Sequence, residues 1–170
     1  MKTYKLPCDW QISIPDNWQG EYDKEDGQCV FYPDNSDLTI RITPFHAERD
    51  GVPAPIEVME NAYISTIPMS AKLRDAHLLT PDGFSVRMYE GTLIEENKTV
   101  YVIYIGYYSA GKLLSINVYG TNKTECEQAL NIIKTVKMQY FENDNQEEQL
   151  STFYLEQTKH RCTRGTNEIK

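Results

Sequence analysis

Apolar and polar positions alternate along most of this chain, and the places where the alternation stops mark its elements. Gln11-Ile12-Ser13-Ile14 alternates and breaks at Pro15-Asp16-Asn17, with Trp18 just beyond. Gln28 to Tyr32 predicts a second short strand, closed by Pro33-Asp34-Asn35-Ser36-Asp37. Proline fixes its own φ there, and the Asp and Asn side chains hydrogen-bond their own backbone. From 38 to 45 the pattern is clean: Leu38, Ile40 and Ile42 fall on one side, Thr39, Arg41 and Thr43 on the other. Such a strand has one dry and one wet face.

After Gly51, Pro53 and Pro55 the period changes. Ile56, Met59, Tyr63 and Ile67 recur at helical spacing, Pro55 suits a first turn and Pro68 stops the run, so a helix of about 12 residues is expected. A weak strand over 76–80 leads into the Pro81-Asp82-Gly83 turn. Strands over 84–94, 99–109 and 113–120 follow, joined at Glu95-Glu96-Asn97-Lys98 and Ser109-Ala110-Gly111-Lys112. Three strands in succession make a meander. The middle one is apolar or aromatic on both sides, with Val100, Val102 and Tyr104 facing one way and Tyr101, Ile103 and Ile105 the other. A strand of this kind needs cover on both faces. The second helix supplies some of it: Asn122 with Glu125 forms an N-terminal cap pattern, with Thr124 and Glu127 as a rival pair. Cys126, Ala129, Leu130, Ile133 and Val136 make an apolar stripe behind it. The fold expected is therefore α+β, an antiparallel meander sheet sandwiched between helices (α/β/α) over residues 1–138. A charged C-terminal extension is expected over 139–170, acidic from Glu142 to Glu156 and basic at Lys159, Arg161 and Arg164, whose basic end is expected to pair with the acidic body.

Composition narrows the function more than it defines it. At 170 residues the chain matches one domain and buries about 70% of its surface on folding. Its 17 basic and 25 acidic residues leave a net charge of −8, which argues against binding through nucleic-acid phosphates. No apolar stretch reaches the length of a membrane span, and MKTYKLPCDWQISIP lacks an apolar segment ahead of Cys8, so neither membrane insertion nor a signal peptide is expected. Cys8, Cys29, Cys126 and Cys162 lie far apart with no C-x-x-C pair. They are expected to be reduced thiols of a cytoplasmic protein.

The motifs that suggest chemistry fail on spacing. Gly106-Tyr-Tyr-Ser-Ala-Gly111-Lys112 fits a phosphate loop, but Leu113 stands where the magnesium-binding hydroxyl belongs, and a strand follows where a helix must. A hairpin turn is expected instead. Glu21 to Gly27 has the acidity of a calcium loop, yet its glycine is one position late and Tyr32 replaces the bidentate glutamate. An exposed acidic loop between two strands is the better expectation. His46, His77 and His160 with the four thiols are the candidates for nucleophilic catalysis, but no G-x-S-x-G or H-E-x-x-H accompanies them. Six tyrosines in the meander are expected to pack the sheet and to serve partly as interface. No catalytic residue, metal ligand or cofactor is assigned, and no binding residue is singled out.

The element order, with Ile14-Pro15-Asp16-Asn17-Trp18 closing the first strand and Glu125-Cys-Glu-Gln-Ala-Leu-Asn-Ile-Ile-Lys-Thr-Val as the last helix, resembles the PsbP-like superfamily over roughly residues 8–138. That superfamily includes the photosystem extrinsic subunit, a Ran-binding nuclear-import factor and many small bacterial proteins of unknown function. The resemblance implies an antiparallel sheet between helices, and binding or assembly more than catalysis. It carries over no functional residue. The function expected is a non-catalytic protein-binding module of adaptor, assembly or immunity type, monomeric or weakly dimeric, with a protein partner of unknown identity. The alternative is a small-ligand binder or hydrolase using a pocket near His46 or His77.

Overall fold

The structure, a computed structural model, describes residues 1–68 and 84–138 in full and the backbone of 74–79. The extension read over 139–170, with His160 and Cys162, lies outside the described residues, as does the Pro81-Asp82-Gly83 turn.

A seven-stranded antiparallel sheet dominates an α+β architecture. Its strands are β3 (Trp18–Asp23), β4 (Gln28–Pro33), β5 (Thr39–His46), β8 (Arg74–Leu79), β9 (Ser85–Glu95), β10 (Lys98–Ser109) and β11 (Lys112–Gly120), in the spatial order β3-β4-β5-β11-β10-β9-β8. A smaller sheet joins β1 (Lys2–Lys5), β2 (Trp10–Ile14) and β12 (Lys137–Met138), and β6 (Glu48–Arg49) pairs with β7 (Val52–Pro53) in a short hairpin. The helices are α1 (Ile56–Ile64) and α2 (Lys123–Ile133).

The meander read from the sequence is β9-β10-β11, and β10 is buried from Val102 to Tyr108. Its two sides enter different clusters. Ile103, Ile105 and Tyr107 join Leu114, Ile116 and Val118 of β11, Ile12 and Ile14 of β2, and Cys126, Ala129 and Ile133 of α2. Val102, Tyr104 and Tyr108 join Leu113, Tyr89, and Met59 and Tyr63 of α1. Each cluster follows from the pleat, because residues two apart point the same way and cross-strand partners share a side. The α2 side also carries β2, whose Ser13 amide donates to Thr135 Oγ1 at 2.9 Å. Tyr107 donates its hydroxyl to the Ile133 carbonyl at 3.1 Å on the same side.

Local chemistry sets the helix limits. Asn122 caps α2, accepting from the amides of Thr124 at 3.0 Å and Glu125 at 3.3 Å, while Ser36 donates to the Glu125 carboxylate at 2.6 Å. The rival Thr124–Glu127 cap is therefore not used. Helix α1 has nine residues and ends at Ile64, short of the expected length. Ser65 and Thr66 donate their hydroxyls to the carbonyls of Ala62 and Tyr63, each at 2.7 Å. The Thr66 and Ile67 amides reach only three residues back, so the last turn tightens instead of propagating. The acidic stretch from Glu21 is also reassigned: β3 continues through Asp23, and the Asp23 carboxylate accepts from the amides of Glu25 and Asp26 to close a tight turn. The motif fails as a calcium loop and its first half is a strand.

The glycines and lysine of the phosphate-loop pattern have structural duties. Gly111, at φ +66°, turns the β10–β11 hairpin, and Lys112 pairs with Asp9. Gly106 makes room for the Tyr108 ring, which folds back over it; a Cβ there would stand 2.8 Å from Tyr108 Cε2 and collide with the phenol beyond. Gly106→Ala is expected to destabilise the protein by roughly 1–3 kcal/mol through overpacking, lowering Tm by about 2–4 °C for each kcal/mol. Thermal unfolding followed by circular dichroism checks this, and an unchanged Tm contradicts the packing described.

Candidate functional site

Helix α1 covers only part of its side of the large sheet. Beyond it, towards β5 and β4, the same sheet face opens into a trough of about 510 Å³ lined by Gln28, Asp37, Thr39, Arg41, Glu95, Val100, Asn117, Tyr119, Gly120 and Thr121. The pairing explains why these residues meet. Arg41 stands opposite Asn117 and Thr39 opposite Tyr119 across β5 and β11, so all four project from one face as adjacent cross-strand pairs. Their neighbours in sequence, Ile40, Ile42, Ile116 and Val118, point the other way and are fully buried.

The floor is held from its α1 side. Tyr63 of α1 donates its hydroxyl to Asn117 Oδ1 at 3.1 Å, and burial pushes that phenol far above the usual tyrosine range. Tyr119 meets the Tyr104 ring edge-on, centroids 6.0 Å apart and planes at 89°. At the outer end Asp37 accepts from the Thr121 amide and hydroxyl. The hydroxyl is the main reason its carboxyl sits below the usual carboxylate value. Two polar groups in the trough are left over. Arg41 is half-buried and forms no ion pair or side-chain hydrogen bond among the described residues. Gln28 Oε1 is buried and accepts no hydrogen bond among them. A buried acceptor without a donor is costly in a folded chain.

The sequence-level candidates do not gather here. His46 ends β5 with Nε2 3.6 Å from Glu48 Oε2. The backbone of His77 pairs with Arg87 in β8, at the far edge of the sheet. Three strands separate β5 from β8, which sets the two histidine backbones roughly 19 Å apart. The pocket expected near His46 or His77 is thus not the trough, whose lining contains no histidine or cysteine. Cys29 and Cys126 are buried, and desolvation pushes their thiols up to about 12 and about 11, the opposite of an activated nucleophile. Among the described residues no three His, Cys, Asp or Glu side chains are placed to hold a metal ion, and no helix is long and apolar enough to cross a membrane. Arg41 and Thr39 were visible in the sequence as the wet side of β5, but their meeting with Asn117 and Tyr119 depends on the β5–β11 register, which joins residues more than 70 positions apart.

No protein-family description and no curated protein sequence matches this chain. Solved structures do, and they show a PsbP-like fold. Cyanobacterial PsbP of Synechocystis sp. PCC 6803 superposes with a TM-score of 0.59 at 12% identity, over 81% of this chain and 92% of that one. LpqN of Mycobacterium tuberculosis, involved in cell envelope biogenesis, gives 0.55 at 17% identity, over 77% and 83%. A Bacteroides thetaiotaomicron protein gives 0.58 at 16% identity over 85% of this chain, which spans half of that protein's length.

The thiols provide a direct check. Cys29 and Cys126 are expected to resist iodoacetamide at pH 8 in the native protein and to react once guanidinium unfolds it. Peptide mass spectrometry reads each site, and modification of Cys29 at the unfolded rate under native conditions contradicts its burial.

Proposed function

We propose that this chain is a non-catalytic protein-binding module, of adaptor, assembly or immunity type, which docks its partner over the trough between α1 and β4. The observation that carries the proposal is Arg41, a half-buried residue on the sheet face whose guanidinium forms no ion pair among the described residues. Arginine is a frequent hot-spot residue because its planar fork gains most when a partner excludes water from it. We take the large sheet, with α1 on one side and α2 on the other, as the layered α/β/α scaffold that holds this face still. The net charge of −8 favours encounter with basic partners. We place that encounter in a reducing, cytoplasmic setting, on the wide spacing of the four cysteines and the lack of a C-x-x-C pair in the sequence.

A small-ligand site is the second reading, because about 510 Å³ falls in the range of ligand cavities. Those cavities are mainly apolar with a few polar groups, whereas Val100 is the one aliphatic side chain in this lining. The open polar floor favours a protein surface.

Tagged full-length protein and its Arg41→Ala and His46→Ala variants, used in crosslinking capture from native lysate at low and high salt, test the proposal. One specific protein is expected with wild type and His46→Ala. Arg41→Ala is expected to weaken its binding roughly 10–100-fold, the worth of a hydrogen bond to a charged group. Capture unaffected by Arg41→Ala, or no specific protein at either salt, overturns it.

A further inference from the structure

The trough is charged unevenly along its length. Arg41 stands on the inner floor beside Asn117, and Asp37 and Glu95 line the trough with the Thr39–Tyr119 pair between Arg41 and Asp37 along the strands. Four positions separate Arg41 from Asp37, at most about 13 Å of extended chain. Gln28 Oε1 adds a buried acceptor with no donor among the described residues. The site therefore presents a two-pronged donor with no acceptor among the described residues, and two carboxylates that favour a cation. A simple anion answers only the first of these. It is repelled by Asp37 and Glu95.

Resting on the reading of the trough as a docking surface, we propose that it recognises a carboxylate side chain flanked by basic residues on the partner protein. The partner's Asp or Glu lies against the Arg41 guanidinium, whose fork matches a carboxylate in plane. Ammonium or guanidinium groups of the neighbouring residues lie near Asp37 and Glu95. This pattern reconciles an acidic chain that steers basic partners with a cationic anchor at its centre. Rim charges govern encounter, and the desolvated central pair governs retention.

Titration of the ¹⁵N-labelled full chain with three blocked pentapeptides tests this: Ala-Lys-Glu-Lys-Ala, Ala-Lys-Gln-Lys-Ala and Ala-Ala-Glu-Ala-Ala, with inorganic phosphate as a fourth probe. The Lys-Glu-Lys peptide is expected to shift the Arg41 Nε–Hε resonance and the Thr39, Asn117 and Tyr119 amides saturably. The Lys-Gln-Lys peptide is expected to bind at least tenfold more weakly, and the alanine-flanked peptide severalfold more weakly. Glu95→Gln is expected to narrow the difference between the two Glu peptides. Arg41→Lys, which keeps the charge and loses the fork, is expected to weaken the Lys-Glu-Lys peptide. The amide spectrum of each variant verifies its fold. Equal binding of the Glu and Gln peptides, phosphate matching the Lys-Glu-Lys peptide, or no saturable shift overturns the inference. If Arg41→Ala still abolishes capture of a partner protein while the peptides fail, the docking surface stands and the carboxylate rule falls.

Discussion

Strand β10 carries apolar and aromatic side chains to both sides of the sheet, and the exclusion of water from both sides at once is the constraint on which the rest depends. A side chain such as Ile105 or Val102 gains about 1.5–3 kcal/mol from full burial, so a bare face of this strand would forfeit much of the stability of the domain. Ile103, Ile105 and Tyr107 cluster with residues of α2 and β2, and Val102, Tyr104 and Tyr108 with residues of α1. Neither helix is long enough to persist alone in water. They fold because the strand demands cover, and the strand persists because they supply it.

That mutual dependence also creates the trough. Helix α1 is halted at Ile64 by hydroxyls that satisfy its last carbonyls locally, and its nine residues cover only about 13 Å along their axis. They roof the sheet over Val102, Tyr104, Tyr108 and Leu113. They do not extend over the face that β4, β5 and the outer half of β11 present, and there the sequence changes from apolar to Arg41, Thr39, Asn117 and Tyr119. Polar residues on an uncovered sheet face need no partner to remain soluble. Arg41 is the exception in character: a half-buried arginine with no ion pair among the described residues, whose planar fork gains most where water is excluded from it.

Much of the fold was legible in the chain because its information is local. Alternation placed β5 and β11, apolar runs bounded by turn residues placed β9 and β10, the period of 3.6 placed α1 and α2, and the Asn122 cap was readable from residue types within three positions. The misreadings have physical causes. Strand β3 reads locally as a loop because Glu21 and Asp23 are poor strand formers, and it lies at the edge of the sheet. Strands β1 and β12 are too short to show a period, and exist through pairing with β2. The layering was legible only in outline, since nothing local announces that β2 shares a side with α2. The trough was half legible: alternation exposed the wet side of β5, but only the β5–β11 register brings Arg41 to Asn117. Histidines drew attention as chemically versatile residues, yet strand order keeps His46 and the His77 backbone on separate strands.

Native-state amide hydrogen exchange of the full chain tests the double cover of β10 most directly. The amides of Val102 to Tyr107 are predicted to exchange only through global unfolding, with protection energies equal to the unfolding free energy measured by denaturant. Exchange of these amides through local opening, at energies well below the global value, would contradict it.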